Sequence, residues 1–322
     1  MLAVIKYVAL IIIVFVKKGR GRMKVVAIII ISVLLVMGAV LLVGTLASVD
    51  FDFTRLGGGK YEIYTHDIDG SFTDICINVD TADIKFAVAP DGKCRAEFFE
   101  DKKVRYTAEV ERETLNIKID DHRRWYDYIG VNFGIPKITL YLPVGAYRDL
   151  SVRNSTGNTE IPDGFDFENI GITASTGNIS LTGTKASSLT LSLSTGNITV
   201  SDVNVENDVT VSVSTGKVSI TDLACRNLST VGDTGDIMMT DVSVSGCFDA
   251  KRSTGDISFE DLDANIMTVK TSTGHVKGSI TSDKAFDVKT DTGKIKVPHV
   301  FSDSENKIKT STGDVIINVV TD

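Results

Sequence analysis

Cysteine, histidine and aromatic residues are scarce in this chain, and each shortage argues against a particular class of protein. The 322 residues include four cysteines, four histidines and one tryptophan, and aromatic residues make up 7%. Four scattered cysteines are too few for the disulfide framework of a small secreted domain, and a bridge between Cys225 and Cys247 stays open without being favoured. The histidines show no short ligand spacing, so a zinc site is not expected.

Positive charge is also in short supply after the first 24 residues. Six of the 34 lysine and arginine residues precede residue 25, whereas none of the 42 aspartate and glutamate residues does. The remainder carries 28 basic and 42 acidic side chains, a net charge of −14. This acidic balance argues against nucleic acid as a partner and against a polybasic contact with anionic lipid.

What the chain does contain is a repeat of nine Thr-Gly pairs in its C-terminal two thirds. The glycines are Gly157, Gly177, Gly196, Gly216, Gly235, Gly255, Gly274, Gly293 and Gly313. Successive glycines are 19 or 20 residues apart, a period typical of a solenoid and too short for helix pairs. We therefore predict an all-β fold, a parallel β-solenoid (β-helix) of about ten rungs.

Apolar residues alternate with polar ones on both sides of each glycine. Leu189, Leu191 and Leu193 precede Gly196 in this way, and Ile198 and Val200 follow it. Period two predicts a strand with one buried face on each side of the corner. A further apolar residue recurs seven positions after the glycine and indicates that a looser corner also points inward; it is Val203, Leu223, Val242, Leu262 or Val300.

The nine glycines are interpreted as structural turn residues. Glycine adopts positive φ without steric penalty, and the Ser-Thr or Asp-Thr pair before it would form a polar ladder along the stacked corners. Replacement of Gly216 by valine is expected to destabilise the middle of the stack.

The repeat extends in degenerate form towards the N-terminus. Residues 75–86 reproduce the apolar spacing with Ala82 in place of glycine, and residues 60–149 are predicted to form an irregular β cap with the first rungs. The regular solenoid is assigned to residues 150–322. No C-terminal cap follows Val315, Ile317 and Val319 in the sequence, so this edge could support self-association.

The N-terminal segment has the composition of a membrane anchor. Residues 25–49 carry no charge and are long enough to span a bilayer as a helix. Basic residues crowd the preceding segment, residues 1–24, and Asp50 and Asp52 follow, so the positive-inside rule predicts a cytoplasmic N-terminus and an extracytoplasmic solenoid. Residues 50–59, with three consecutive glycines, are expected to form a flexible joint.

Residues 1–22 leave two interpretations open. They could form a second membrane segment, or Met23 could be the true start and the preceding residues a miscalled extension; the second interpretation is favoured. Both place the solenoid outside the cytoplasm at the cell membrane. A cleaved signal peptide is less expected, because the apolar region is longer than the usual 7 to 15 residues.

The anchor, the strand segment that ends at residues 138–143 and the serial Ser-Thr-Gly-Asn/Asp-Ile repeats together resemble a bacterial domain-of-unknown-function family. Members of that family carry β-strand repeats and are often labelled adhesins. The resemblance covers residues 23–322 and implies a membrane-anchored parallel β-solenoid. It brings no catalytic residues and no cofactor with it.

An enzyme would need convergent acid and base groups on one exposed face. The residues directly after the glycines are Asn158, Asn178, Asn197, Lys217, Asp236, Asp256, His275, Lys294 and Asp314. Asp236, Asp256 and His275 would be neighbours along the stack, but Asn and Asp are also the residues that favour such corners. A calcium-binding β-roll is not expected either, because its nine-residue glycine-rich repeat is missing. We therefore predict no catalytic residues and no metal site.

An aromatic loop is the best candidate for contact with a partner. Its interface-type side chains are Arg123, Arg124, Trp125, Tyr126 and Tyr128. The alternative is that these rings plug the end of the solenoid core. The sequence thus predicts a non-enzymatic envelope protein that contacts another protein or a wall polymer; the alternatives are a carbohydrate-active β-helix enzyme and an envelope-stress sensor or regulator.

Overall fold

A computed structural model describes residues 61–101, 104–121, 135–302 and 304–320, together with Ser32, Val33, residues 35–38 and Val40. Ser32, Val33, residues 35–38 and Val40 are helical. Among all described residues, no helix combines the length and the apolar character that crossing a bilayer requires. Most of the predicted anchor, the joint at residues 50–59 and the aromatic loop with Arg123, Arg124, Trp125, Tyr126 and Tyr128 lie outside the described residues.

The chain divides into two compact units. One consists of residues 1–59 and 127–134, and the other of residues 60–126 and 135–322. The second unit contains all the strands of the described residues.

Strands that lead into a corner form the first column of the solenoid. They are β2 (Asp74–Thr81), β6 (Thr114–Asp121), β8 (Gly145–Thr156), β10 (Phe165–Thr176), β12 (Lys185–Thr195), β14 (Asp208–Thr215), β16 (Asn227–Thr234), β20 (Ala285–Thr292) and β23 (Lys307–Thr312). Strands that leave a corner form the second column. They are β3 (Asp83–Val88), β7 (Lys137–Leu142), β9 (Thr159–Ile161), β11 (Ile179–Thr182), β13 (Ile198–Val205), β15 (Val218–Cys225), β19 (Val276–Ile280), β21 (Ile295–Lys296) and β24 (Val315–Val319).

Two long strands contribute to both columns, and four others lie at the ends of the stack. The long strands are β17 (Ile237–Thr254) and β18 (Ile257–Thr273). The end strands are β1 (Tyr61–Asp67), β4 (Arg95–Asp101), β5 (Val104–Glu111) and β22 (His299–Val300).

Rungs stack in parallel with a register of one repeat, which confirms the predicted parallel β-solenoid. Leu189 and Leu191 pair with Val209 and Val211, each 20 residues further along the chain. The inward side chains of these strands are almost completely buried, and they join one continuous apolar core. The period of two thus separates a core face from a solvent face in every rung.

The second corner of the rung is a tight turn and not the looser corner predicted from the sequence. Asp202, Asp222, Asp241 and Asp261 occupy it in four successive rungs with φ of 52° to 53°. Aspartate tolerates this left-handed conformation better than most residues do. The apolar residues after these aspartates are buried as predicted, but Val300 is exposed because it belongs to the outermost rung.

The order of the rungs departs from the order of the chain at both ends. Near the N-terminus, β2 lies between β6 and β8, and β3 lies between β7 and β9. Near the C-terminus, β23 lies between β18 and β20, and β24 lies between β19 and β21. The Gly313 rung is therefore internal and the Gly293 rung is the outer one, in contrast to the edge predicted at Val315, Ile317 and Val319.

The cap contains antiparallel strands. The charged run after residue 96 forms β4 and β5, which pair antiparallel with β7 and β6 respectively, and β1 pairs antiparallel with β4. The Ala82 rung itself lies in register with the Gly157 rung, since Ile75 pairs with Leu150 and Thr81 with Thr156.

Candidate functional site

The corner glycines are confined by the rung that lies against them. All nine have φ between +121° and +155°. A Cβ atom added to Gly216 would lie 1.7 Å from the carbonyl oxygen of Gly196, and the same kind of backbone clash recurs at the other eight corners. No side chain fits there, so the corner row is built for close approach of backbone.

A hydrogen-bond ladder follows the residues directly after these glycines. The Oδ1 atom of Asn158 accepts hydrogen bonds from both the backbone N–H and the side-chain amide of Asn178, at 2.9 and 3.0 Å. Asn178 accepts in turn from the N–H of Asn197, and Asn197 from the N–H of Lys217. Each side chain therefore satisfies a backbone donor of the next corner.

Asp236, Asp256 and His275 are neighbours in this ladder, and they act as the asparagines do. Asp236 Oδ1 accepts from the N–H of Asp256 at 2.9 Å, and Asp256 Oδ1 from the N–H of His275 at 2.7 Å. His275 Nδ1 accepts from the N–H of Asp314 at 2.9 Å, which leaves the ring proton on Nε2. All three side chains thus have a structural role as acceptors.

Asp314 continues the ladder because its rung is inserted next to the His275 rung. Its Oδ1 atom accepts from the backbone N–H of Lys294 at 2.8 Å. This hydrogen bond, together with the charges of the nearby Lys277 and Lys294, holds the pKa of Asp314 below its ordinary value.

A shallow depression of about 220 Å³ adjoins this part of the row. It is lined by Asp236, Met238, Asp256, Ile257, Ser258, His275 and Lys277. Ligand pockets usually measure about 300 to 1,000 Å³, so the depression is small for a sugar-processing cleft. In the part of the chain that the structure describes, no group of three or more His, Cys, Asp or Glu side chains is placed to hold a metal ion.

A buried arginine lies behind the same corners, and sequence reasoning missed it. Arg252 is only 4% exposed because its position in the strand faces the core. Its guanidinium covers Gly232 in the neighbouring rung, and Nη1 donates to the carbonyl oxygen of Val213 at 2.8 Å. Desolvation lowers the pKa of Arg252, and the carboxylates of Asp233 and Asp236 oppose that shift. Its sequence signal is the pairing of Gly232 with an arginine one repeat later, at an inward position.

A second concave surface lies on the outer face of the cap. It measures about 270 Å³ and is lined by Ile63, Glu97, Phe99, Lys137 and Thr139. Ile63 is 69% exposed, and the ring of Phe99 stacks on Tyr61 with centroids 5.0 Å apart. This surface is partly apolar and open to solvent.

The four cysteines are unbridged. Cys225 is buried, and burial raises the pKa of its thiol to about 12, whereas Cys247 is exposed. A buried thiol of this kind packs as a small apolar side chain.

Comparisons with known proteins give one family match. Residues 72–246 match the family described as Toastrack DUF4097. A comparison with curated proteins finds no match.

Several solved structures are similar to the chain at low identity. One is a proposed adhesin from Bacteroides fragilis, 14% identical with a TM-score of 0.39, for which 81% of this chain and 97% of that chain are covered. Another is a proposed cell adhesion protein from Clostridium sporogenes, 11% identical with a TM-score of 0.31 and coverages of 82% and 100%. A third is a proposed lipid-binding protein from Parabacteroides distasonis, 14% identical with a TM-score of 0.29 and coverages of 82% and 98%. None of the three is described as an enzyme. Because the family match spans more than half of the chain, the protein belongs to the Toastrack DUF4097 family.

Proposed function

We propose that this protein is a non-enzymatic component of the bacterial cell envelope that presents a rigid β-solenoid for binding or adhesion. The observation that carries the proposal is the use of the corner side chains. Asp236, Asp256 and His275, the one cluster among the described residues with the residue types of an acid–base site, accept backbone hydrogen bonds as the asparagines of other rungs do. These three side chains are thus used as hydrogen-bond acceptors that hold neighbouring rungs together.

The solenoid offers a flat face with rows of hydroxyl groups. Thr190, Thr210 and Ser229 stack in register on the outward face of the first column, next to a second row with Ser192 and Ser212. Such rows donate and accept hydrogen bonds at a spacing of about 4.8 Å, which suits an extended polymer or a protein strand. We propose a wall polymer or another envelope protein as the partner, and no cofactor is required.

The proposed location is the cell membrane. A single helix at residues 25–49 would hold the protein, with the basic N-terminus in the cytoplasm and the acidic solenoid outside. Treatment of intact, wall-stripped cells with protease tests this. Loss of solenoid epitopes with retention of an N-terminal tag supports the proposal, and protection of the solenoid contradicts it.

Binding is tested with the full-length protein in vesicles whose solenoids face outward. We expect co-sedimentation with purified wall material or capture of an envelope protein from a membrane extract. The double variant Thr190→Glu/Thr210→Glu should lose this binding, because it interrupts the hydroxyl rows. The control variant Thr199→Glu/Ser219→Glu alters outward positions of the second column and should keep it. Absence of binding by the unaltered protein to both materials would refute the proposal.

The depression beside Asp236, Asp256 and His275 is the one observation that favours a carbohydrate-active enzyme instead. That function requires turnover of a polysaccharide, and the variant Asp236→Asn/Asp256→Asn should abolish it while it leaves the ladder acceptors in place. We expect no turnover by either protein on wall and capsular polysaccharides, and turnover by the unaltered protein alone would establish the enzyme.

A further inference from the structure

The outer end of the stack is the Gly293 rung, although it is not the last rung in sequence. Strand β23 pairs with β18 on one side and with β20 on the other, and β24 pairs with β19 and β21 in the same way. The free edge of the solenoid therefore belongs to β20 and β21. This edge is the strongest unpartnered feature of the described residues.

The second column is protected at this end. Strand β21 has only two residues, Ile295 and Lys296, and Pro298 follows almost at once, so a further strand finds few backbone donors there. Lysine and proline at an edge are the usual means of preventing strand addition. This protected end still exposes apolar surface. Ile295 is 46% exposed, whereas the residues at the same position of inner rungs, Ile257, Val276 and Val315, are completely buried.

The first column is protected over only part of its length. Strand β22 pairs with Ala285 and Phe286 of β20, and the N–H of Phe301 donates to the carbonyl oxygen of Phe286 at 3.0 Å. Beyond that point, no described strand lies on the outer side of residues 288–292. Asp287 donates inward to Asn306, so the alternation along the strand turns the N–H and C=O groups of Val288 and Thr290 outward.

The charges along this open stretch are self-complementary. Thr290 stands between Lys289 and Asp291, both of which are exposed. If the strand pairs antiparallel with its own copy about Thr290, Lys289 of one chain lies opposite Asp291 of the other, and this happens twice. Opposite charges in directly opposed positions stabilise antiparallel pairs, and like charges destabilise them.

We infer that two copies of this protein join edge to edge through residues 288–292 of β20, antiparallel and with the two-fold axis at Thr290. The joined strands continue the first column from one solenoid into the next by strand addition. Thr290 lies opposite its own copy and supplies the pairing N–H and C=O groups, whereas the carbonyl oxygen of Thr292 accepts from the N–H of Gly313 within the stack. The exposed Ile295, Val300 and Phe301 lie at the same end of the stack.

This inference deepens the proposed binding function, because it names a second copy of the chain as a partner. The two caps then lie at opposite ends of the joined solenoids. If chains bind wall material or an envelope protein but stay monomeric, the inference fails and the proposed function stands. If chains associate as inferred and bind neither material, the inference stands and the proposed function fails.

The test is sedimentation equilibrium of the full-length chain in detergent micelles over a range of concentrations. We expect a monomer–dimer equilibrium that the Lys289→Asp variant weakens about tenfold, since two attractive pairs become repulsive. The double variant Lys289→Asp/Asp291→Lys exchanges the charges and should restore the dimer. The matched control is Lys270→Asp, which makes the same change at the equivalent position of the inner Gly274 rung and should leave the dimer intact.

Three results would overturn the inference. The first is a monomer at every concentration. The second is equal weakening by Lys270→Asp and Lys289→Asp, which would indicate a general effect of charge. The third is failure of the double variant to restore association, which would exclude the antiparallel register about Thr290.

Discussion

At the scale of the residue, corner glycines are confined by two independent constraints. Gly216 has φ of +146°, which side-chain-bearing residues rarely adopt, and its missing Cβ leaves room for the carbonyl oxygen of Gly196. The Thr-Gly repeat predicts the first constraint. The second follows from the stacking of identical corners and strengthens the same conclusion.

Replacement of Gly216 by valine should therefore destabilise the protein by about 2 kcal/mol or more. The control is Gly171→Ala, since Gly171 has no positive φ and the nearest atom to an added Cβ is 3.9 Å away. Urea denaturation of the two variants compares them directly. Equal stability of Gly216→Val and the unaltered protein would count against superposed corners.

The second corner gives a milder prediction. Asp222 has φ of +52°, so Asp222→Val should cost about 1–2 kcal/mol, whereas Asp222→Asn should be tolerated because asparagine adopts this conformation readily. Thermal unfolding of both variants measures the difference. Valine and asparagine variants of equal stability would contradict the left-handed corner.

Glu100 links stability to pH. It is buried in the cap, where its Oε2 atom accepts from the N–H of Tyr106 at 2.6 Å, and burial raises the pKa of its carboxyl. The folded protein then holds this proton more tightly than the unfolded chain does, so the contribution of Glu100 to stability falls as pH rises through the raised pKa.

The variant Glu100→Gln should accordingly be more stable than the unaltered protein at about pH 7. The difference should shrink at about pH 3, where the carboxyl of Glu100 is protonated in both the folded and the unfolded state. Denaturant titrations at the two pH values test this. A difference that grows on acidification would show that the carboxylate is stabilising in the folded state.

At the scale of the element, the repeat allowed the strands to be predicted but not their neighbours. Every rung carries the same alternation, so each rung could stack on any other. The pattern therefore did not indicate that the Gly313 rung lies between the Gly274 and Gly293 rungs. Arg252 escaped prediction for a related reason. A charged residue at an inward position looks like a break in the pattern until Gly232 is seen beneath it.

The open edge of β20 has a signature in amide hydrogen exchange. In the monomer, the N–H of Asp287 bonds to Asn306, which directly precedes β23, and the register turns the N–H of Lys289 towards β23, so both should exchange slowly. The N–H groups of Val288 and Thr290 point outward and should exchange rapidly. Dilute samples of the Lys289→Asp variant, which is expected to be monomeric, are suited to this measurement. Uniform protection along residues 287–290 in that variant would mean that the edge is covered within one chain.

At the scale of the whole molecule, the strands of the second unit share one uninterrupted core that runs from the cap to the outer rung. The sequence predicted that core and its parallel stacking, because burial at period two and a fixed repeat leave few other folds. It did not predict what the surface binds, because the side chains with recognisable chemistry are the ones that accept backbone hydrogen bonds at the corners.

The order of the last three rungs is the basis for locating the free edge, and disulfide trapping tests it most directly. Lys309 pairs with Lys270 on one side and with Lys289 on the other, all on the outward face. Adjacent parallel strands lie about 4.8 Å apart, within the Cα–Cα range of a disulfide, whereas a rung between them doubles the distance. In a background with Cys247→Ser, the double variants Lys270→Cys/Lys309→Cys and Lys289→Cys/Lys309→Cys should therefore form intramolecular disulfides, and Lys270→Cys/Lys289→Cys should not. Efficient bridging of 270 with 289, and none of 270 with 309, would show that the rungs follow the order of the chain and would contradict the account.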